Sequence, residues 1–189
     1  FDGLIEFGEY CSACHVSHIP GPGGVPPLFT DFTFENIGVP KNPENPFYRM
    51  DEVLGDDGNP INPEGDAFVD LGLGGFLASH PNHEWQAMAT ENEGRHKVPT
   101  VRNVDKRPGY GFPKAYMHNG VFKSLEEVVH FYNTRDVAAE GWPPPEVDRN
   151  VNRDILEGVP LGNLELDEEA EAAIVAFLKT LSDRTGVKK

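Results

Sequence analysis

The stretch Cys11-Ser12-Ala13-Cys14-His15 decides the fold, and it contains both cysteines of the 189-residue chain. Cys-x-x-Cys-His is the attachment signature of a c-type haem, in which two thiols become thioethers to the vinyl groups and the adjacent histidine ligates the iron. On one helical turn Cys11 and Cys14 project to the same side, so they match two vinyl groups on one porphyrin edge. The motif therefore predicts one covalent haem c, with His15 as an iron ligand.

Three other interpretations of the motif stay open on the residues alone. These are a redox-active Cys-x-x-Cys pair, half of a zinc site completed by His15 or His18, and two unrelated thiols. The redox interpretation lacks the strand-helix context of a thioredoxin-like unit, and the zinc interpretation lacks a second pair of cysteines. The haem is favoured because amphipathic helices and aromatic-rich loops accompany the motif.

Apolar spacing and capping residues predict three helices. Residues 2–14 carry apolar side chains at helical spacing and lead into the cysteine motif. Ser124 and Glu127 form a capping-box pattern that starts a second helix, which runs to about Tyr132. Asp167 caps the last helix. The second helix places four residues on one face, namely Leu125, Val128, Val129 and Tyr132. The last helix has an apolar stripe of Ala170, Ala173, Ile174, Phe177, Leu178 and Leu181.

The rest of the chain is expected to be rich in loops. It has 20 glycines and 17 prolines among 189 residues, well above the usual combined share of about 12%. We predict a mainly α, cytochrome c-like haem domain with long Pro/Gly-rich loops, forming a single domain over residues 1–189 with a loop insertion at about 20–95. Five aromatic residues in this arm imply burial against an apolar body, for which the cofactor is one candidate: Phe29, Phe32, Phe34, Phe47 and Tyr48.

The formal net charge of −15 excludes several classes of function. A negatively charged chain repels nucleic-acid phosphates and anionic lipids, so we expect no nucleic-acid partner. No apolar run approaches the roughly 18 residues of a membrane helix, so we also expect no membrane insertion. An acidic surface instead predicts a redox protein partner with a basic docking face and association that weakens as salt increases. A start at Phe1 is typical of a mature chain whose targeting segment has been removed.

Five segments resemble the bacterial di-haem cytochrome c peroxidase and MauG-like superfamily: residues 29–40, 70–76, 97–104, 115–122 and 125–133. The most specific motifs are Val98-Pro99-Thr100-Val101-Arg102-Asn103 and Tyr116-Met117-His118-Asn119-Gly120. The resemblance runs in order from Gly3 to Asp183. Members of this family have two haem motifs in two cytochrome c domains, whereas this chain has one motif and resembles the C-terminal domain alone.

The resemblance implies a function for that single domain. In the peroxidases of this family the C-terminal half holds the electron-relaying haem, so we expect a mono-haem c-type cytochrome that transfers one electron, as a domain or subunit of a larger redox assembly. The partner is then a redox protein or another haem-bearing chain, and the location is the periplasm or another exported compartment. The alternative is a haem peroxidase or MauG-like oxidase that reacts with hydrogen peroxide, which needs a vacant iron position and a nearby acid or base. No catalytic residue is assigned.

The residue that ligates the iron on the side away from His15 has to be identified. Met or His gives an electron carrier, Tyr is also known, and an open position invites peroxide. The chain offers Met50, Met88, Met117, Tyr132 and six further histidines. The resemblance points to Tyr132, on the helix after the Tyr-Met-His-Asn-Gly motif, with Met117 as the alternative, and the helical register supports an inward direction for Tyr132. The competing interpretation is an ordinary buried tyrosine whose hydroxyl is bonded elsewhere.

Two further residues and one loop complete the predicted site. The family counterpart of His118 lies beside the haem propionates, which implies a hydrogen bond or proton transfer there, with a satisfied turn residue as the alternative. Arg102 is predicted to hold a propionate because a guanidinium fork matches a carboxylate, with a surface salt bridge as the alternative. Residues 56–66 concentrate oxygen ligands that suit calcium, but they do not follow EF-hand spacing, so a solvated acidic loop competes with a calcium site.

Overall fold

The computed structural model describes residues 8–107, 112, 114–156 and 159–183. Its regular structure is mostly helical with little sheet, as predicted. Four α-helices lie wholly within the described residues: α1 (Gly72–Ser79), α2 (His83–Ala87), α3 (Leu125–Thr134) and α4 (Glu168–Thr180). Four short strands pair two by two: β1 (Phe34–Glu35) with β2 (His96–Lys97), and β3 (Asp154–Leu156) with β4 (Val159–Pro160). No helix within the described residues combines the length and the apolar character needed to cross a bilayer.

The predicted N-terminal helix falls mainly on residues before Gly8, which lie outside the described part of the chain. Residues 8 and 9 are helical, and a 3-10 turn follows at Cys11–Ala13. The amide of His15 donates to the carbonyl of Cys11 at 2.9 Å. The cysteine motif is therefore wound into one tight turn, as its spacing predicts.

Helices α3 and α4 form the centre of the core, and both start where the sequence predicts. Ser124 accepts from the amide of Glu127, whose side chain reaches back to the Ser124 amide, so the capping box is complete. Asp167 accepts from the amide of Ala170 at 2.9 Å. The core cluster contains three residues of α3 and four of α4: Leu125, Val129 and Phe131, with Ile174, Val175, Phe177 and Leu178.

Helix α3 has a second buried face that the predicted stripe does not include. Phe131 is 1% exposed, and its ring lies 5.0 Å from that of Phe122 and 5.4 Å from that of Trp142. The helix is therefore covered on two sides. An amphipathic surface helix is buried on one face, whereas α3 is buried on two. The predicted apolar stripe therefore includes only part of the buried surface of α3.

The range 20–95 is not loop throughout, because it contains α1 and α2. Three of the eight residues of α1 are glycines, which lowers helix propensity and hides the element from pattern analysis. The packing explains one of them: a Cβ on Gly74 would lie 2.6 Å from the backbone nitrogen of Glu93. Tertiary packing, rather than local preference, therefore makes this helix.

The two strand pairs were not predicted, since each strand has only two or three residues and shows no alternation. The antiparallel pair of β1 and β2 sets Phe34 opposite Lys97 and Glu35 opposite His96. This pairing joins residues about sixty positions apart in the sequence. It places His96 beside the N-terminal arm.

The aromatic residues of the arm pack on protein. The ring of Phe29 meets that of Phe177 at 6.4 Å, and the ring of Phe47 lies 5.0 Å from that of Phe68. Tyr48 is 3% exposed, whereas Phe32 is 53% exposed. The expectation that all of them are buried is therefore wrong for Phe32, because the turn at 30–33 directs this ring outwards under the ammonium of Lys97, at 4.7 Å.

Candidate functional site

A cavity of about 520 Å³ is enclosed by the cysteine turn, the β1–β2 ribbon, α3 and α4. This volume lies in the range of roughly 300–1,000 Å³ that is common for cofactor and ligand sites. The residues that line it run from Tyr10 to Leu178, and most are apolar. Six of the seven predicted site residues are in its wall: Cys11, Cys14, His15, Met117, His118 and Tyr132. None of the five aromatics of the arm lines it, so their burial does not depend on a cofactor.

Both thiols are free and line this cavity. Burial raises the pKa of the Cys11 thiol to about 12, with a further contribution from Cys14. Burial raises the pKa of the Cys14 thiol to about 11, helped by the carboxylates of Asp31 and Glu35. Both groups are therefore neutral thiols at pH 7 in the folded chain, because each pKa lies well above that pH.

The imidazole of His15 is oriented as a ligand requires. Its Nδ1 lies 3.0 Å from the carbonyl oxygen of Phe29. A carbonyl oxygen can only accept, so Nδ1 carries the proton and Nε2 keeps its lone pair. Burial lowers the pKa of His15, with the Phe29 carbonyl acting in the opposite direction. A neutral histidine whose other nitrogen donates to a carbonyl is the usual form of a metal-ligating histidine.

Helix α3 supplies another part of the wall, and the predicted register is confirmed. Leu125, Val128, Val129 and Tyr132 all line the cavity. Burial raises the pKa of Tyr132 above its usual range, and the nearby Cys11 and Cys14 add to the effect. Among the described residues, no group accepts a hydrogen bond from the hydroxyl of Tyr132. Its role as a ligand and the interpretation as an ordinary buried tyrosine both stay predictions.

The Tyr-Met-His-Asn-Gly motif forms a tight hairpin at the cavity. The amide of Tyr116 donates to the carbonyl of Phe122 at 2.9 Å, and Met117 adopts a left-handed backbone with φ of 67°. Such a conformation is uncommon for a residue with a side chain and persists only where the surroundings impose it. The hydroxyl of Tyr116 is buried without a hydrogen-bond partner. Since Tyr116 lines the cavity, the wall contains an orphaned polar group.

His118 lies beside three polar residues that the sequence analysis did not select: Asp70, His96 and Glu146. All four line the cavity. The rings of His96 and His118 are stacked at 3.6 Å, and Nε2 of His118 lies 3.8 Å from Oε2 of Glu146. His96 lies two residues before the Val-Pro-Thr-Val-Arg-Asn motif, and this proximity is a signal that could have identified it. Nothing in the local sequence points to Glu146.

Arg102 is not brought to the cavity. Its guanidinium forms a hydrogen-bonded ion pair with the carboxylate of Asp183, which matches the alternative interpretation of a salt bridge. Arg107 lines the cavity instead, with its guanidinium 4.9 Å from the centre of the Tyr116 ring. The role of Arg102 towards a propionate stays a prediction, and it requires the pair with Asp183 to open.

The other candidates lie away from the cavity. Met88 is 40% exposed, and neither it nor Met50 is in the cavity wall. In the loop 56–66, Asp57 accepts from the amide and the side chain of Asn59, so its oxygens complete a turn. Among the described residues, no three carboxylates of this loop converge on one point. Calcium binding here stays a prediction without a cluster of ligands to support it.

The residues present fit a covalently held haem. Two thiols three positions apart, a histidine whose Nδ1 donates to a carbonyl and an apolar wall lie around one cavity. The orphaned hydroxyl of Tyr116 adds a donor that protein atoms do not satisfy. This combination of ligand, anchor and apolar surface is what haem binding requires.

Comparisons with known proteins agree with this chemistry, although no family model matches the chain. The sequence is 34% identical to the methylamine utilization protein MauG of Paracoccus denitrificans, over 97% of this chain and 43% of that protein. It is 28% identical to the cytochrome-c peroxidase IdrP1 of Denitromonas iodatirespirans, over 91% of this chain and 36% of that protein. The chain thus spans about two fifths of the length of these relatives.

The fold is similar to that of a solved structure. A variant of the di-haem peroxidase BthA from Burkholderia thailandensis superposes with a TM-score of 0.62 and 23% sequence identity. The similarity covers 97% of this chain and 41% of the peroxidase chain. At this level of identity the comparison establishes the fold alone.

Proposed function

Because the chain is a member of the MauG and di-haem cytochrome c peroxidase family and spans one domain's worth of its relatives, we propose that it is a mono-haem c-type cytochrome that transfers one electron. It would act as the electron-relay domain or subunit of a peroxidase-like or MauG-like assembly. The observation that carries this proposal is the apolar cavity lined by Cys11, Cys14, His15 and Tyr132.

Each of these residues has one role in holding the cofactor. Cys11 and Cys14 would form the thioethers, His15 would ligate the iron through Nε2, and Tyr132 would be the second ligand, with Met117 as the alternative. A haem bound here supplies an iron that gains and loses one electron. The Phe29 carbonyl fixes the tautomer and the orientation of His15.

The protein also controls the surroundings of the cofactor. Aliphatic side chains of α3 and α4, among them Val128, Val129 and Ile174, line the cavity and exclude water from it. Burial keeps the Tyr132 hydroxyl protonated until a positive charge lies next to it. A bound ferric iron would supply that charge, so ligation by Tyr132 and loss of its proton would be coupled.

The charge of the chain supports a proposal for its partner and its location. A net charge of −15 steers a basic redox protein towards the surface and repels acidic ones. The rate of electron exchange should therefore fall as ionic strength rises from about 10 to 200 mM, because added salt screens this attraction. Covalent haem attachment of this kind further suggests an exported chain.

A peroxidase or oxidase is the second candidate function, and one observation favours it. The cavity wall contains Glu146 and His118, which offer an acid and a base close to each other. Proton transfer by such groups supports cleavage of peroxide where an iron position is open. In the electron carrier Tyr132 or Met117 would occupy that iron position, whereas in the enzyme the position would be open.

Spectroscopy of the purified protein separates these candidates. The chain should be coloured, and its mass should exceed that of the bare peptide by one haem; a colourless chain of peptide mass would contradict the proposal. A low-spin ferric spectrum that peroxide does not change is expected for an electron carrier. A high-spin spectrum that changes within milliseconds of adding peroxide would instead support the enzyme.

Two substitutions identify the ligand. Tyr132→Phe should shift the ferric spectrum to high spin, whereas Met117→Leu should leave it unchanged. Met88→Leu is the control for Met117→Leu, because Met88 lies outside the cavity wall and its substitution should leave the spectrum unchanged. An unchanged spectrum in Tyr132→Phe together with a shift in Met117→Leu would transfer the assignment to Met117.

A further inference from the structure

Three side chains that the proposed haem ligation does not use converge in the cavity wall. Asp70, His96 and His118 each offer one ligand atom, and these atoms lie within 4.8 Å of one another. Among the residues that the structure describes, no other three His, Cys, Asp or Glu side chains converge in this way. The many acidic residues of the chain therefore do not by themselves account for this cluster, which depends on how the chain folds.

Three separate elements hold the cluster in place. His96 belongs to β2 and lies opposite Glu35 of β1. His118 is in the hairpin closed by the pairing of Tyr116 with Phe122. Asp70 accepts through Oδ1 from the amide of Gly72, the first residue of α1, at 2.9 Å. The convergence is thus produced by the tertiary fold.

The two imidazoles of the cluster pack against each other face to face. The rings are stacked with an angle of 8° between their planes. Burial, together with the neighbouring His118, lowers the pKa of His96. A neutral imidazole is the form that ligates a metal ion. Two imidazole rings close to a carboxylate therefore form a donor set for a metal ion.

A buried carboxylate, that of Glu146, lies next to two of the three proposed ligands. The side chain of Glu146 is 3% exposed. Its Oε1 accepts from the hydroxyl of Tyr48 at 3.0 Å and from the amide of Asp70 at 3.3 Å. Its Oε2 lies 3.8 Å from His118. A fixed carboxylate next to a metal-ligating histidine is a common second-sphere arrangement, which orients the ring and increases its basicity.

We propose that Asp70, His96 and His118 bind a divalent transition-metal ion of the Zn²⁺ type, at a site separate from the haem iron. Two histidines and one carboxylate are an established ligand set for zinc, with the fourth position left to water or a substrate. Glu146 is a positioning residue that holds His118. This site does not depend on the proposed electron-transfer function.

Binding requires a small movement of the rings. With Zn–N bonds of about 2.0–2.1 Å, two ligand nitrogens of a tetrahedral site lie about 3.3 Å apart and their lone pairs converge. In stacked rings the lone pairs run parallel, so one imidazole has to tilt towards the other.

The experiment measures zinc binding by the haem-loaded chain, in which the cysteines are engaged, or by the chain with both thiols alkylated. Titration calorimetry with Zn²⁺ and metal analysis after gel filtration should give one equivalent of zinc. His96→Ala should weaken binding at least about 100-fold, and Asp70→Asn about 10-fold or more, because a ligand matters at least as much as its second-sphere partner. Asp70→Asn keeps the oxygen that accepts from the amide of Gly72.

His83→Ala is the matched control, since it removes an exposed histidine outside the cavity. It should leave zinc binding unchanged. Circular dichroism and the haem spectrum of each variant report whether the fold is kept, so that loss of zinc is not confused with unfolding. If the wild-type chain takes up no zinc, or if His96→Ala binds zinc as the wild type does, the site is refuted, whatever the outcome of the haem experiments.

Discussion

Removing the side chain of Asn133 should destabilise the protein and disturb the cavity together. Asn133 is 5% exposed on α3, directly after Tyr132. Its Nδ2 donates to the carbonyl of Leu166 at 2.9 Å and to Oε1 of Glu171 at 2.6 Å, and its Oδ1 accepts from the amide of Leu166 at 3.0 Å. One side chain therefore ties α3 to the segment before α4, and Leu166 in that segment lines the cavity.

The magnitude follows from these three bonds. Each neutral bond contributes about 1 kcal/mol and the bond to a charged carboxylate about 1.5–3 kcal/mol, but Glu171 keeps a second partner in His130. Asn133→Ala should therefore lower the free energy of unfolding by about 3–4 kcal/mol. For a domain of this size that corresponds to a fall in Tm of roughly 6–16 °C. A domain stable by about 5–15 kcal/mol would lose a large part of its margin.

Denaturant unfolding followed by circular dichroism measures the effect, and the haem spectrum reports on the cavity. Asn59→Ala is the matched control, because Asn59 is exposed and its side chain bonds only to Asp57. The control should change the free energy of unfolding by no more than about 0.5 kcal/mol. If Asn133→Ala lost less than about 1 kcal/mol, the reasoning that this amide joins the two helices would be refuted.

Two further predictions concern pH and backbone strain. The hydrogen bond that His130 donates to the carboxylate of Glu171 raises the pKa of His130, so the stabilisation from this pair is complete below about pH 6.5 and is lost as pH rises through the folded-state pKa. Since His130 is 40% exposed, the effect should stay under about 1 kcal/mol and should disappear in His130→Gln, as measured by unfolding between about pH 5.5 and 8.5. Gly94 has φ of +77°, and a Cβ there would lie 2.5 Å from Nδ2 of Asn36. Gly94→Ala should cost at least about 2 kcal/mol by the same assay, whereas Gly58→Ala, with φ of +78° and open space, should cost only the conformational strain of about 1 kcal/mol; equal losses would contradict the close approach.

Local sequence was sufficient wherever local physics decides the structure. The caps at Ser124 and Asp167 are complete, because a capping residue satisfies amides within three positions of itself. The face of α3 that contains Tyr132 was also predictable, since helical periodicity fixes which residues share a side. The cysteine turn follows for the same reason.

Contacts between residues far apart in the chain could not be predicted from the sequence. His96 meets His118 only because β2 pairs with β1 and a hairpin brings residue 118 alongside. Neither contact leaves a periodic signal. Arg102 illustrates the opposite error: a guanidinium suits any carboxylate, and in the structure the partner is Asp183. Residue type predicts the chemistry of a group, whereas its partner depends on the whole fold.

The raised pKa values of the Cys11 and Cys14 thiols imply that these groups are less reactive in the folded chain than in the unfolded chain. A cysteine whose pKa is about 12 or about 11 is almost entirely protonated at neutral pH, and a protonated thiol is a poor nucleophile. In the unfolded chain the same sulfurs titrate near about 8.5 and are open to solvent. We therefore expect covalent modification of Cys11 and Cys14 to be faster before residues such as Leu178 close the wall of the cavity around them.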